Sequence, residues 1–520
     1  MKMRIIKYLS IALLFSALII NNSCDSKKLE LTNPNELSPN TYFKTRAQVQ
    51  SAVNAAYGNL QTIGLYNRTI WFAYDNQSHE NCGNPQLEAD KRQHLNFTFD
   101  ASHDALRAFW ESCYTGINKA NFVINNKDKI ALISDSQVSP EMKAKYDGEA
   151  KFMRALFYFM LVTRWGDVPL VLEIPADGEG LARTPTAQVW AQIESDLTDA
   201  GNQCLDENEE ENGRATKGAA WALLGKALLY QEKYSEALTA FNKVTGYSLV
   251  SNFLDNFLEE TEHNSEQIFA VEFNIAAGKS AQWNSDRTDV GLNESTFRSQ
   301  EYGCMDWYNV FPSVDLRNEF EAGDPRYGFS FYTNGDPYFG GTIAVTPLIQ
   351  SDGTNYPRIG WRKYSNYYKK VSENMESGIN MNIIRYADVL LMMAECQANS
   401  GNISAAVTLM NQVRARASVN MPLYGSDEMN AIYPVTNLAE FMVALEHERK
   451  VELCGEQVRL GDLVRWGRLG AFLTSIKSTL PLQEQNELRF DPNKHTVWPI
   501  PQKEIDANVK ISQADQNPGY

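Results

Sequence analysis

The sequence predicts a mainly α-helical fold of tetratricopeptide-like helix pairs, interrupted by a loop-rich and aromatic-rich insertion. Apolar residues recur at intervals of three and four over several long segments, which is the spacing of one helix face. Two of these segments combine small and large residues as tetratricopeptide helix pairs do. Residues 275–380 lack this periodicity and are dense in turn residues. Such a long irregular region inside a helical protein usually carries function.

The N-terminus has the pattern of an export signal. Basic residues in the first seven positions precede an apolar run over residues 9–20. This run is too short to cross a bilayer, which needs about 20 residues, but it fits a signal peptide. Cys24 follows closely, and Ser23 is suitably small for a lipoprotein cleavage site, whereas Asn21 replaces the usual leucine. We expect residues 1–23 to be a lipoprotein signal peptide and Cys24 to carry a lipid anchor; ordinary cleavage with a free Cys24 is the alternative.

Behind Cys24 the chain divides into a tether and one large domain. We expect residues 24–40 to form a lipid-anchored extended tether, because Pro34 and Pro39 exclude a helix there. The rest, residues 41–520, forms the domain. The formal net charge is −16 for all 520 residues. Removing residues 1–23 takes away three positive charges and no acid, so the mature chain carries −19. This acidity argues against nucleic acid as a partner.

Helical patterns are spread along the domain. Thr45 and the glutamine three residues later form a capping box that begins the first helix. Residues 149–165 form a long apolar stripe that a glycine and a proline end. Residues 221–241 and 385–416 each predict a pair of antiparallel helices, and a last long helix is predicted over about residues 438–455. The helix pairs are therefore not confined to one array.

The cysteines after Cys24 are scattered and form no CxxC motif. Cys396 and Cys454 lie within helical patterns, and we expect them to be buried thiols. Cys82 with Cys113 is the one pair that we consider for a disulfide. A chain of this length does not need disulfides for stability.

The sequence contains no motif for nucleotide binding, nucleophilic catalysis or a zinc or calcium site. His79, Glu80 and Cys82 come nearest to a metal site, but no further ligand follows at a usual interval. We therefore expect no metal, no cofactor and no catalytic residue. Carboxylate pairs of glycosidases are defined by their separation in space, which the sequence does not give. His447 lies in a charged helical stretch that we interpret as a solvated or salt-bridged face.

Aromatic residues next to polar ones suggest a sugar site. Between Trp283 and Tyr368, 18 of 86 residues are aromatic, about twice the 11% of the whole chain. Sugar rings stack on aromatic faces, and their hydroxyls need polar partners. Any single aromatic ring is more often part of the core. Among these aromatic residues taken together, however, we expect at least two rings on which a ligand stacks. The candidate ligand-binding residues are Trp71, Tyr74, Asp75, Asn76, Trp283, Tyr332, Tyr338 and Trp361.

Four long stretches carry a resemblance to a known family. Residues 149–170 cover a predicted helix and its exit through Gly-Asp-Val-Pro-Leu, and residues 382–395 contain Ile-Arg-Tyr-Ala-Asp-Val-Leu-Leu. Residues 446–467 end in Asp-Leu-Val-Arg-Trp-Gly, and residues 498–520 begin with Trp-Pro-Ile-Pro and end with Gln-Asn-Pro-Gly-Tyr. Together they resemble the SusD/RagB family of outer-membrane nutrient-binding lipoproteins over about residues 30–520.

The resemblance implies a single large SusD-like α domain whose loop-rich region, about residues 275–380, binds the ligand. It implies a surface-exposed protein that is held to the outer membrane by the lipid on Cys24. Such a protein captures an oligosaccharide and delivers it to a SusC-like TonB-dependent transporter, without being an enzyme. Capture of oligopeptides for the same kind of transporter is the alternative. A scaffold that binds only its transporter and a glycosidase are further hypotheses. The family's ligand contacts lie in variable loops, so no site residue is transferred by motif.

Overall fold

Helices dominate the structure, a computed structural model that describes residues 42–173, 179–277, 294–349, 355–372 and 376–520. The predicted signal peptide, Cys24 and the tether lie outside these residues. Within the described part, no helix is long and apolar enough to cross a membrane. The α-helices are α1 Arg46–Gly58, α2 Thr69–Gln77, α3 Ala89–Asn96, α4 Asp104–Ile124, α5 Lys127–Ala131, α6 Pro140–Trp165, α7 Thr186–Gln203, α8 Lys217–Leu229, α9 Tyr234–Phe241, α10 Arg298–Tyr302, α11 Val314–Glu319, α12 Arg326–Ser330, α13 Tyr386–Asn399, α14 Ile403–Arg414, α15 Asp427–Asn430, α16 Leu438–Leu453, α17 Arg459–Arg465, α18 Leu469–Ile476, α19 Leu482–Glu487 and α20 Gln502–Ala507.

Strands are short and pair two by two. The strands are β1 Asn81–Gly83, β2 Gln267–Val271, β3 Val310–Pro312, β4 Phe331–Tyr332, β5 Pro337–Tyr338, β6 Ile343–Ala344, β7 Leu348–Ile349, β8 Asn355–Tyr356, β9 Gly360–Trp361 and β10 Met381–Arg385. The antiparallel pairs are β1 with β3, β2 with β10, β4 with β9, β5 with β6 and β7 with β8. Most of these strands lie between α10 and α13, so the region predicted to be loop-rich contains short ladders together with the short helices α10, α11 and α12. The prediction of a mainly α fold is confirmed.

The start of α1 and the end of α6 are formed by the residues that the sequence indicated, whereas α6 begins earlier than the predicted stripe over residues 149–165. The Thr45 hydroxyl accepts a hydrogen bond from the backbone N–H of Gln48, whose side chain accepts one from the Thr45 N–H. Helix α6 begins with Pro140 in its first turn, where the missing N–H costs nothing. It ends at Gly166, whose φ of +71° belongs to the left-handed region that glycine adopts without strain.

The tetratricopeptide-like pairs are held together by small residues at close approaches. Helix α8 packs on both α7 and α9. A Cβ on Gly225 would lie 2.5 Å from the Phe241 ring, and one on Gly201 would lie 2.4 Å from the Trp221 ring. Since real Cβ atoms do not come this close, only glycine allows these rings to seat between the helices. Helices α13 and α14 form a second pair, and Gly401 lies in the turn between them.

One large core runs through the helical pairs and into the loop-rich region, and a second core lies under α13, α14 and α16. A small separate cluster, centred on Cys304, Tyr338 and Tyr367, supports the loops themselves. Cys82 and Cys113 are free, buried thiols, so the disulfide that we considered is not formed. Cys396 and Cys454 are buried thiols as predicted, and the burial raises the pKa of both.

A buried ion-pair network fixes the loop-rich region to the helices. Glu452 on α16 is fully buried and accepts hydrogen bonds from Arg385 at 2.8 Å, Arg416 at 2.8 Å and Arg326 at 3.1 Å. Arg326 belongs to α12 in the loop-rich region and also binds Glu448 at 2.6 Å. Charges removed from water are stable only when they are paired in this way. The network therefore aligns three separate segments of the chain.

His447 on α16 is buried and extends this connection. Its Nδ1 lies 2.7 Å from a Glu319 carboxylate oxygen and its Nε2 lies 3.0 Å from one of Glu321. Lys450 also binds Glu319, and Arg414 binds Glu321. Burial lowers the pKa of His447, but the hydrogen bonds to the two carboxylates outweigh it and raise the pKa above its ordinary value. The predicted salt-bridged face is therefore correct, and it is buried rather than solvated.

We expect His447→Gln to lower the free energy of unfolding by roughly 1.5–3 kcal/mol at pH below about 6.5, because hydrogen bonds between charged groups are lost. The raised pKa of the folded state stabilises the protein fully below the unfolded pKa, and this stabilisation disappears as pH rises through the folded value. Urea unfolding of both proteins across neutral pH measures the difference. His495→Gln is the control of opposite sign, since burial lowers the pKa of His495 to about 4 and its effect on the free energy of unfolding changes in the opposite direction as pH falls. A difference for His447→Gln that does not change with pH would contradict the prediction.

Candidate functional site

The first group of predicted ligand residues lies on α2, all of whose residues are buried. Trp71 has no exposed surface, and its Nε1 donates a hydrogen bond to the Tyr66 carbonyl oxygen at 3.0 Å. Tyr74 packs edge-to-face on Trp498, with 5.9 Å between the ring centroids. Neither ring offers a face for a sugar to stack on. The aromatic and polar residues of α2 therefore pack inside the protein.

The polar residues of α2 are satisfied by protein partners. Asp75 accepts hydrogen bonds from the Tyr302 hydroxyl at 3.1 Å and from Gln457 Nε2 at 3.1 Å, and it forms an ion pair with Arg298 at 3.4 Å. Burial raises the pKa of Asp75, and Arg298 opposes that shift. Asn76 donates to a backbone carbonyl and accepts from a neighbouring asparagine amide. A ligand hydroxyl would have to displace these bonds.

The remaining described candidates are also enclosed. Trp361 on β9 is 1% exposed, and its Nε1 donates to Asn81 Oδ1 at 2.8 Å. The Asn81 amide in turn donates to the Asn76 side chain and the Tyr302 hydroxyl. The structure thus brings Trp71, Asp75, Asn76 and Trp361 together, as a buried polar and aromatic network.

Tyr332 and Tyr338 lie in the small cluster under the loops, with their rings 5.0 Å apart. They are 2% and 0% exposed. In this conformation the rings and polar groups of the described candidates pack inside the protein, and their contact with a ligand stays a prediction. The eighth candidate, Trp283, lies outside the described residues.

A different tryptophan faces solvent in the loop-rich region. Trp307 is 40% exposed. It stands on a tight turn in which the backbone N–H groups of Asp306 and Tyr308 both donate to the Gly303 carbonyl oxygen, at 3.1 and 3.0 Å. The Asp306 carboxylate also accepts a hydrogen bond from the Tyr367 hydroxyl. These bonds fix the backbone on both sides of the indole.

Half-buried rings flank this turn. Phe311 packs on Tyr308 with 5.5 Å between ring centroids, and Phe339 packs edge-to-face on Tyr367 at 5.3 Å. We call Trp307, Phe311 and Phe339, with the side chains of Asp306 and Arg358, the Trp307 surface. The buried inner rings of the cluster pack beneath this surface and support it.

Polar groups of the Trp307 surface are held in place by the backbone. Arg358 donates from Nη1 to the Cys304 carbonyl oxygen at 2.8 Å, and its guanidinium lies 5.8 Å from the centroid of the Tyr308 ring. Its backbone N–H donates to Asn334 Oδ1 at 3.0 Å. Fixed polar groups beside an exposed ring are the combination that a sugar requires.

Trp307 also stands among polar residues, but this sequence pattern does not distinguish an exposed ring from a buried one. The residue stands in Met-Asp-Trp-Tyr-Asn, an aromatic and polar run inside the predicted ligand-binding region. The same kind of run surrounds Trp71, which is buried. Only the tertiary packing distinguishes the two.

The described residues hold no group of three or more histidine, cysteine, aspartate or glutamate side chains that is arranged for a metal ion. Asp75 and Glu80 are close carboxylates, and burial together with Asp75 raises the pKa of Glu80 to about 8. Both are at most 2% exposed. This acid pair therefore lies away from any surface that a glycan could reach in this conformation.

Two family profiles match the chain. The profile of the SusD family matches residues 265–520, and a profile described as starch-binding associating with outer membrane matches residues 29–229. A SusD-like protein, P25, of Formosa agariphila is 26% identical over 529 residues, which cover 93% of this chain and 94% of the relative.

Solved structures have the same fold. A SusD superfamily protein of Bacteroides vulgatus superposes with a TM-score of 0.75 at 25% identity, covering 92% of this chain and 100% of that one. A laminarin-binding SusD-like protein superposes with a TM-score of 0.70 at 24% identity, again covering 92% and 100%. The arrangement of helix pairs around a loop-rich layer is therefore shared with these proteins.

Proposed function

The chain belongs to the SusD/RagB family, and from this premise we propose that it binds an oligosaccharide at the cell surface through the Trp307 surface. The single observation that carries the proposal is the exposed indole of Trp307 on a hydrogen-bonded turn of the loop-rich region. Indole faces stack on the C–H faces of sugars, while Asp306 and Arg358 provide an acceptor and donors for hydroxyl groups. The laminarin-binding relative, which has the same fold, supports a glycan as the ligand class.

We expect Trp307→Ala to weaken oligosaccharide binding by roughly 10- to 30-fold, or ~1.4–2 kcal/mol, because a central aromatic contact is lost. Isothermal titration of residues 25–520 with a panel of β-glucan and α-glucan oligosaccharides measures the change. Trp466→Ala is the control, since Trp466 is a half-buried tryptophan on the end of α17, outside the Trp307 surface. If Trp307→Ala binds a glycan with the same affinity as the wild-type protein, the glycan site does not include Trp307 and the proposal is contradicted.

The same titration separates the alternatives. Binding of oligopeptides without binding of any glycan would favour the peptide hypothesis and reject our proposal. We also propose that the protein binds its ligand without cleaving it; the names of two solved structures, a laminarin-binding SusD-like protein and a surface glycan-binding protein, support a binding role. Release of reducing ends from a bound oligosaccharide would contradict this part.

We further propose that lipid on Cys24 holds the protein to the outer membrane and that it delivers its ligand to a SusC-like TonB-dependent transporter. The outer-membrane description of the second family profile supports the location. Mass spectrometry of the membrane-extracted protein is expected to show an acyl adduct on Cys24. Affinity purification of the intact protein from solubilised outer membranes is expected to bring down a transporter barrel; recovery of the protein alone from several detergents would contradict the partnership.

A further inference from the structure

A small cavity with both apolar and polar lining lies at the junction of α2, α6, α8 and β10. It has a volume of about 60 Å³, which is room for a few water-sized groups. We call it the Arg164 cavity, and its polar lining includes Tyr74, Arg164, Lys226, Tyr230, Asn382 and Gln457. None of these residues belongs to the Trp307 surface.

Arg164 is a buried cation that has no carboxylate partner among the described residues. It is 3% exposed, and its Nε has no hydrogen-bond partner. Among the described residues, every other buried arginine lies within 4.0 Å of an aspartate or glutamate oxygen. These arginines are Arg154, Arg298, Arg326, Arg385, Arg414, Arg416, Arg449 and Arg459. Arg164 is therefore an exception to the rule that this protein otherwise follows for buried charges.

The acid of the cavity lining is already engaged. Glu456 accepts hydrogen bonds from Arg385 at 2.7 and 2.9 Å and from Lys363 at 2.9 Å. The second cation of the lining, Lys226, has its own partner, Asp388, at 3.1 Å. The positive charge of Arg164 thus remains in excess in the cavity.

Other interactions offset only part of this charge. The Arg164 guanidinium lies 5.4 Å from the Tyr74 ring centroid and 5.9 Å from that of Trp498, so both rings contribute weak cation–π attraction. Arg164 also lies in the last turn of α6, where the helix dipole favours a cation. Neither contribution replaces a hydrogen-bonded anion in a buried site.

Two amide oxygens in the same lining lack donors. Asn382 Oδ1 and Gln457 Oε1 are buried and find no hydrogen-bond partner in the part of the chain that the structure describes. Their orientation is fixed, because Asn382 Nδ2 donates to the Asn256 carbonyl oxygen at 2.9 Å and Gln457 Nε2 donates to Asp75 at 3.1 Å. The cavity therefore presents a cationic donor together with neutral acceptors.

We propose that the Arg164 cavity binds a small, singly charged carboxylate anion. The anion accepts hydrogen bonds from the Arg164 guanidinium, and water or a hydroxyl group carried by the anion donates to the two amide oxygens. The volume admits a group of the size of formate. The site is separate from the proposed glycan site, so it would act as a structural or modulating anion site at the junction of the helices and β10.

Thermal unfolding in sodium formate tests this proposal. The ionic strength is held constant with an anion too bulky for the cavity, and formate is expected to raise the melting temperature of the wild-type protein in a saturable manner. Arg164→Gln, which removes the charge and keeps a polar side chain, is expected to lose this response. Arg154→Lys is the matched control, because Arg154 is paired with Asp196, and it is expected to keep the response.

A crystal structure grown with formate gives the second measurement, which does not depend on any variant. Planar density within hydrogen-bond distance of the Arg164 guanidinium is the expected result. The proposal is overturned if the density refines as water alone, or if the wild-type and Arg164→Gln proteins respond to formate equally.

Discussion

Glu452→Gln is expected to lower the free energy of unfolding by roughly 3–5 kcal/mol, the cost of leaving buried charges without their partner. Three guanidinium groups converge on this carboxylate, from Arg326, Arg385 and Arg416. Together they outweigh the effect of burial and hold the pKa of Glu452 well below its usual range, so the group is ionised at neutral pH. A neutral amide removes the charge and turns an N–H₂ group toward cations that need an acceptor.

Urea unfolding at neutral pH, followed by circular dichroism, measures this loss. Glu440→Gln is the control on the same helix, because Glu440 is only half-buried and accepts hydrogen bonds from Thr436 rather than from arginines, and we expect that variant to unfold close to the wild-type protein. A Glu452→Gln protein as stable as the control would show that the network contributes little to stability, as some buried ion pairs do when both partners are replaced.

Trp361→Ala is expected to cost about 3–5 kcal/mol of stability, because a large buried ring is removed from a packed site. The ring packs on Phe331 with 5.4 Å between centroids. Its six-membered part also covers Gly455, where a Cβ would lie only 2.6 Å from the ring. The substitution leaves a cavity and deprives Asn81 of its indole donor. Thermal and urea unfolding measure the loss.

The same variant tests the role that the sequence suggested for Trp361. If the ring were a sugar platform, its removal would abolish ligand binding and leave stability nearly unchanged. We expect the opposite from its burial: a less stable protein whose folded fraction binds the glycan with wild-type affinity. Trp361→Phe keeps most of the packing but not the hydrogen bond to Asn81. We expect its stability to lie between that of the wild-type protein and that of Trp361→Ala.

The helical scaffold was predictable because its signals are local. The Thr45 capping box, the apolar stripe that Gly166 ends and the small residues around Gly225 each act within a few turns of helix. Such signals can be read from the spacing of residues alone. The long, ordered motifs of the family then identified the fold as a whole.

The site was not predictable in the same way, because exposure is decided by distant packing. Trp71 and Trp307 stand in similar runs of aromatic and polar residues, yet the first is enclosed by Tyr302 and the second faces solvent. For the same reason the sequence did not decide whether the charged stretch around His447 is solvated or salt-bridged. Its carboxylate partners come from α11 and the loop after it, which are far away in sequence. Which face of a segment is covered depends on contacts between residues far apart in sequence.

The short ladder between β1 and β3 has a consequence for the order of folding. The ladder pairs residue 81 with residue 312, whereas α8 and α9 pack on each other and follow each other directly in the sequence. Contacts between distant segments close long loops and form slowly, so we expect the helix pairs to assemble first and the loop-rich layer to dock last. Because it is held by contacts between distant segments, we expect the loop-rich region, which includes Trp307, to be among the first parts to open from the native state. Its amide hydrogens would then exchange with solvent before those of α8 and α9.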